Sequence, residues 1–371
     1  MRLAYWLRYY PTASETFVYR EAAALKARGV QVQALAIGAR EEGGVKAPWD
    51  CVYPPRRALR GLSQLKDPTT REAIGWLSQH QRPKDCARAL WALETLSGVD
   101  GIHCHFAGEA AEWAWVAHKV LGLPYVLTVH AVDLFKPRPS LDTLLRDAAA
   151  VLTVTHHNAE RILQRSGVRP QVQPCGVEPE FWAGPGPQAG GPLLFVGRDV
   201  PKKGLGTLLS ALGGLPDVEL DIVGVTSLAP QRAGVRSHGA CSAVEIRSLM
   251  HRAAAFVLPC QVAPDGDRDG LPVALMEAMA AGLPVITTDL PGLEDLVDEE
   301  VGWVVPQGSV VHLRDTLQAA LRSQHALHQR GQAARERVKA GFTLAAQADG
   351  VLDVWAGVGL RPACGSPPGV V

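Results

Sequence analysis

The feature that most constrains this chain is the alternation of short apolar runs with amphipathic segments. Leu3–Leu7 reads as a strand, Glu15–Arg28 as a helix and Val30–Ile37 as a strand. Gly29 stands between that helix and the next strand as a stop signal. Thr12 and Glu15 have capping-box spacing at the helix start, with Ser14 as a rival cap. Gly101–Phe106, Tyr125–Val129, Val151–Val154 and Gln171–Pro174 continue as strands, with Glu109–Leu121 and His157–Ser166 as helices. Alternation of this kind predicts a parallel, doubly wound sheet.

Residues 183 to 192, AGPGPQAGGP, interrupt the pattern with glycine and proline and read as an interdomain linker. A second series follows. Leu193–Val196, Val218–Val223, Ala255–Leu258 and Val285–Thr288 are its strands, and Gly204–Leu212, Ala243–Arg252 and Val273–Ala281 its helices. The expected organisation is a first domain over residues 1–182, the linker, and a second domain over 193–340. A C-terminal helix over 341–358 is expected to cross back to the first domain, and 359–371 to form a frayed tail. Two such domains would face each other across a cleft lined by the carboxyl ends of their strands, where ligands of doubly wound sheets bind.

Lysine plus arginine equals aspartate plus glutamate, 37 each, which argues against a nucleic-acid partner. Seven scattered cysteines with no CxxC pair argue against a disulfide framework and fit a reducing compartment. No secretory leader or membrane-spanning stretch is evident, so the expected location is cytoplasmic, with any membrane contact peripheral. Segment 54–98 fits the alternation poorly and reads as a helical insertion. It carries Arg56, Arg57, Arg60, Lys66, Arg82, Lys84 and Arg88 with Trp76 and Trp91. The preferred reading is a solvated helix pair with both tryptophans turned to the core. The sharper one is a surface for anionic lipid headgroups at the inner face of the membrane.

Two loops carry the chemistry. In FVGRDVPKKG, residues 195–204, Arg198, Lys202 and Lys203 lie between a strand end and a helix start, an arrangement suited to phosphate. In DGDRDGLPVALMEAMAAGLPVITT, residues 265–288, three aspartates precede a helix whose apolar run contains Glu277. A carboxylate buried there needs a hydrogen-bonding partner, which substrate hydroxyls or a neighbouring protein group would supply.

The pair GRDVPKKG and RDGLPVALMEAMAAGLPVITT resembles the signature of family 4 (group 1) glycosyltransferases. Further segments resemble bacterial exopolysaccharide and lipopolysaccharide members in the same order: YPTASETFVYREAAALKARGVQV, HCHFAGEAAEWAWVAHKVLGLPYVLTVHAVDLF, VTHHNAERILQRSGV and CGVEPEFW. The resemblance implies the GT-B fold, two Rossmann-like domains facing across a cleft, and retaining transfer of a hexose-type sugar from a nucleotide-diphosphate donor, UDP or GDP. By resemblance, Arg198 and Lys203 grip the donor diphosphate, aided by the N–H groups of Gly270 and Leu271, and Glu277 holds the ribose. Asp269 and His130 lie at the transferred sugar, and His105 and Glu15 on the acceptor side. The acceptor would be a carbohydrate, a lipid-linked glycan or a small molecule.

Asp269 departs from the family pattern, which has glutamate there. No obligatory cofactor or metal is expected. Asp265-Gly266-Asp267 imitates a metal-binding triplet but falls inside the family's loop. In His103-Cys104-His105, strand alternation points Cys104 away from both histidines. A nucleotide-sugar epimerase and a non-catalytic nucleotide-sugar-binding protein on the same scaffold are the competing readings.

Overall fold

The computed structural model describes residues 1–12, 15–39, 50–56, 58, 60–226 and 233–362. Ser14, Arg57, Cys364 and most of the tail lie outside the described residues, with the expectations that fall on them. The chain forms two compact units. One takes in residues 1–154, 158–173 and 347 onward, the other 155–157 and 174–346.

The first unit is built on seven strands: β1 (Arg2–Tyr10), β2 (Gln31–Ala39), β3 (Cys51–Val52), β4 (Gly101–His105), β5 (Tyr125–Val129), β6 (Ala150–Thr153) and β7 (Gln171–Val172). They run parallel in the order β3-β2-β1-β4-β5-β6-β7. Both faces of the sheet are covered, as parallel sheets require. Along β1, Leu3, Tyr5 and Leu7 enter one core with the helix Thr16–Ala27 and with Ala348, Val351 and Trp355 of the last helix. Ala4 and Trp6 point the other way, into a core with the helices Pro68–Ser78, Pro83–Leu93 and Glu109–Leu121. Each large apolar side chain fully buried this way contributes roughly 1.5–3 kcal/mol.

Residues 54–98 are the expected helical insertion, and Trp76 and Trp91 pack partly buried on that second core. The helix Glu109–Leu121 ends at Gly122, whose φ of 70° suits a residue without Cβ. The final helix, Leu344–Gly357, docks on the first unit through an Arg28–Asp349 ion pair of 2.6 Å and through Trp355. Gly101 makes that docking possible, because a Cβ there would stand 2.6 Å from the Trp355 ring.

The second unit has six parallel strands: β8 (Leu193–Val196), β9 (Leu220–Val223), β10 (Val235–Ser237), β11 (Ala255–Val257), β12 (Val285–Thr288) and β13 (Gly302–Val305). Their order is β10-β9-β8-β11-β12-β13. In both sheets the order reverses direction once, between β1 and β4 and between β8 and β11. The carboxyl edge at such a reversal is where doubly wound sheets bind ligands.

The chain enters the second unit at Pro174, and residues 183–192 belong to that unit. Their glycines serve close packing: a Cβ on Gly184 would meet the His251 ring at 2.4 Å, and one on Gly191 the Arg252 carbonyl oxygen at 2.3 Å. Two local expectations are corrected. The helix after β1 starts at Thr16 with Glu15 as N-cap and no side-chain cap. Thr12 is turned back to the strand end, its hydroxyl on the Tyr9 carbonyl at 3.4 Å. Pro272 is the N-cap of the helix Val273–Ala280 and stands just outside its first turn.

Among the described residues no helix is long and apolar enough to cross a membrane.

Candidate functional site

In the second unit, the loops after β8 and β11 meet at the reversal. Arg198 follows β8 and is exposed, while Lys202 and Lys203 close a short 3-10 turn, Pro201–Lys203. Gly204 ends that turn at φ 68°, and its missing Cβ lets the chain pass the Pro259 carbonyl oxygen, which a Cβ would approach to 1.9 Å. The two loops are thereby pressed together.

Lys203 Nζ lies 2.7 Å from Asp269 Oδ2, and Lys202 Nζ lies 3.1 Å from Asp267 and 3.5 Å from Asp269. Burial pushes the Asp269 carboxyl up, but Lys203 and Lys202 outweigh it and hold it below the usual carboxylate range. Burial pulls the Lys203 ammonium down, and Asp269 more than restores it. Both groups are therefore charged. Arg198 lies near enough to Lys203 for the two to repel electrostatically.

Asp267 is ion-paired to Lys202 and receives no support as a free metal ligand; its own N–H donates to Asp265 Oδ1 at 3.1 Å. Gly270 and Leu271 lead into the helix Val273–Ala280, which carries Glu277 at 8% exposure and stops at Gly282.

In the first unit, His105 ends β4 and His130 follows β5 as the N-cap of a short helix, Ala131–Phe135. Their rings meet, His105 Nδ1 to His130 Nε2 at 3.3 Å. Beneath them lies a residue the sequence reading passed over, Glu21. Its Oε1 accepts from the Tyr5 hydroxyl at 2.7 Å and from His105 Nε2 at 2.9 Å, and its Oε2 from Gln347 at 2.6 Å. A carboxylate only accepts, so His105 Nε2 carries the hydrogen.

Burial raises the Glu21 carboxyl, but His105, His103 and Tyr5 bring it down to about 2. Burial holds His103 and His130 down to about 3, so both are neutral imidazoles near pH 7. Asp133, which accepts from the His130 N–H at 2.8 Å, is pushed by burial up to about 7.

Glu21, His103 and His105 place possible ligand atoms within 4.8 Å of one another. Those atoms are already engaged, His103 Nε2 with the Thr128 hydroxyl at 2.9 Å and Glu21 with three donors, so the cluster is a hydrogen-bonded network rather than an open metal site. Cys104 points into the opposite core, as strand alternation predicts. Glu15 stands at the N-cap position of the helix that carries Glu21, with its N–H on the Thr12 carbonyl at 3.1 Å.

Signals for Glu21 existed. It sits among Val18, Ala22 and Leu25 on the buried face of its helix, the same anomaly that singled out Glu277.

Comparison with known families decides the lineage. Residues 14–181 match the model described as Glycosyltransferase Family 4, and residues 187–337 the model described as Glycosyl transferases group 1. The chain belongs to the family 4 (group 1) glycosyltransferases.

Among relatives in this family, the amylovoran biosynthesis glycosyltransferase AmsK of Erwinia amylovora is 37% identical over 131 residues, which is 31% of this chain and 32% of that protein. The phosphatidyl-myo-inositol mannosyltransferase of Mycobacterium leprae is 36% identical over 150 residues, 37% of this chain and 39% of that one. The matches thus span about a third of these relatives' length. In fold, the chain is similar to Anabaena Alr3699/HepE, solved in complex with UDP, with a TM-score of 0.74 at 15% identity over 96% of this chain and all of that one. Its two Rossmann-like sheets are those of the family's GT-B fold.

Proposed function

We propose that this chain is a retaining glycosyltransferase, moving a hexose-type sugar from a nucleoside-diphosphate donor to a hydroxyl acceptor. The observation that carries the reading is the Lys203–Asp269 contact of 2.7 Å across the strand-order reversal of the second unit. A cation for phosphate and a carboxylate for sugar hydroxyls stand side by side where this sheet type binds nucleotides. The neighbour solved with UDP supports a uridine or guanosine diphosphate sugar as co-substrate.

In this reading Arg198 and Lys203 hold the diphosphate, with the N–H groups of Gly270 and Leu271 beside it. Their charge stabilises the negative charge that grows on the leaving nucleotide. Asp269 orients the transferred sugar and Glu277 the ribose hydroxyls. His130, a neutral imidazole, hydrogen-bonds the sugar near the reacting carbon, while His105 and Glu21 fix its orientation. The bond from the anomeric carbon to the diphosphate oxygen breaks, and the acceptor oxygen bonds to that carbon on the same face. The acceptor's proton passes to the departing diphosphate, so no second carboxylate is needed. The work is assigned to the cytoplasm, with peripheral approach to a membrane where the acceptor is lipid-linked.

The test is to incubate the protein with UDP- and GDP-sugars and a panel of glycan and lipid-linked acceptors, following products by NMR. A new glycosidic bond with the donor's anomeric configuration is expected. Arg198→Ala should slow transfer by about a hundredfold or more, since a lost transition-state charge contact costs roughly 3 kcal/mol. Conversion of donor to another nucleotide sugar without acceptor would replace the proposal with an epimerase.

A further inference from the structure

The first unit contains a cavity of about 850 Å³ that the preceding reading leaves without an occupant. Six of its lining side chains are cationic, Arg8, Arg56, Arg82, Lys84, Arg88 and Arg138, against two carboxylates, Asp85 and Glu109. Behind the wall, buried Glu112 also meets Arg138 at 2.9 Å, so the local excess is three positive charges, a concentrated feature in a chain with 37 of each sign.

The two carboxylates do not neutralise the wall; each is shared between two guanidinium groups. Asp85 meets Arg82 at 3.0 Å and Arg88 at 3.4 Å. Glu109 meets Arg8 and Arg138, each at 3.1 Å. These bridges hold the forks in place, and Arg88 is further fixed by donating to the Ile37 carbonyl. Arg56 and Lys84 are exposed and in no ion pair among the described residues.

Placement adds a second argument. Arg8 belongs to the C-terminal half of β1, the lining residue Gly38 to that of β2, and Glu109 opens the helix after β4. The cavity therefore opens at the carboxyl edge of the sheet, at the β1–β4 reversal.

We propose that this cavity is an acceptor subsite that takes a phosphate or diphosphate group carried by the acceptor. Guanidinium forks match phosphate oxygens two by two, and a site with three excess positive charges favours a multiply charged oxyanion over a single carboxylate. The volume leaves room for the group attached to the phosphate. The assignment of this ligand to the acceptor rests on the transfer reading above.

The test is calorimetric titration of the whole protein with inorganic pyrophosphate, which fits both this cavity and the Arg198–Lys203 loop. Wild type is expected to show two binding events. Arg198→Ala should remove one, and the paired change Arg56→Glu with Lys84→Glu should weaken the other by about tenfold or more. Both altered side chains are exposed, and survival of the Arg198-dependent event reports that the variant is folded. Two events untouched by the paired change, or a single event that depends on Arg198 alone, would overturn the subsite and leave the donor reading intact. If the paired change removes its event while Arg198→Ala changes nothing, the subsite stands and the donor assignment fails. Co-sedimentation with phosphatidylglycerol vesicles separates the remaining source. Binding lost in the paired variant would assign the cavity to membrane headgroups and overturn the acceptor reading. Wild type and variant sedimenting alike supports it.

Discussion

The two sheets place chemistry at the same point but use different means. At the β8–β11 reversal the loops carry full charges of opposite sign, Lys203 and Asp269, pressed together with little exposure. Near the β1–β4 reversal, His105 rests on a single carboxylate, Glu21, with both oxygens of that carboxylate hydrogen-bonded, and His103 and His130 beside it are neutral. The strand order fixes where a site forms, and the loop residues decide what it does. A paired charge set suits a ligand that brings its own charge and redistributes it on reaction. A neutral, saturated network suits the holding of one ring in one orientation.

The largest effect that would sharpen this contrast is expected from Lys203→Met. It strips transfer by about 10²–10³-fold and leaves buried Asp269 with only the longer 3.5 Å ion pair to Lys202, at up to roughly 3 kcal/mol of stability. Adding Asp269→Leu should recover most of that stability and none of the activity. Chemical unfolding and initial rates on the four members of the cycle measure both. Recovery of activity in the double variant would show that the pair has a purely structural role.

A smaller effect is expected from Glu21→Gln. The amide cannot accept from Tyr5, His105 and Gln347 together, so a buried donor is left without its partner at about 1–3 kcal/mol. The dissociation constant for a nucleoside diphosphate should stay within about twofold, because Glu21 belongs to the first unit and the residues proposed for the diphosphate to the second. A large loss of nucleotide affinity would break the separation drawn between the two sites.

The smallest effect concerns pH. His103 and His130 are held at about 3, so their unfolded forms take up protons first, and stability is lost as pH falls from 6.5 toward 3. Glu21, lowered to about 2, adds a loss in the same direction once pH drops below its unfolded value of 4.5. Asp133, raised to about 7, works in the opposite direction, and stability rises as pH falls from 7 toward 3.8. The steepest loss should therefore lie below about pH 3.8, once the Asp133 gain is complete. Asp133→Asn should steepen the loss between about pH 6.5 and 3.8, where the Asp133 gain otherwise offsets part of it. A melting profile that is the same with and without Asp133 would contradict its assignment.

Much of the frame is legible in the sequence. Tyr125–Val129, Leu193–Val196, Val285–Thr288 and the helix Glu109–Leu121 have the expected bounds, because uninterrupted apolar runs and a glycine stop encode them locally. β3, β10 and β13 were not foreseen; strands of two to four residues at sheet edges carry too few side chains for a period to show. Residues 183–192 looked like a linker because glycine signals flexibility and close approach with the same letter. Glu21 stood out on an apolar face, but its partners His105 and Gln347 are 84 and 326 positions away, and no local pattern brings them together. The cations of 54–98 were visible one by one. Their convergence on a cavity with Arg8 and Arg138 depends on how the helices pack.

The central claim is that the Arg198–Lys203–Asp269 corner binds a nucleoside diphosphate. Thermal unfolding with UDP, GDP, ADP and CMP tests it most directly. At a hundredfold excess over its dissociation constant the cognate nucleotide should add about 2.7 kcal/mol. For domains of this size that raises the midpoint by on the order of 2–4 °C per kcal/mol. The account predicts such a shift with UDP or GDP, absent in Arg198→Ala. No shift with any nucleotide, or an equal shift in the variant, would contradict it.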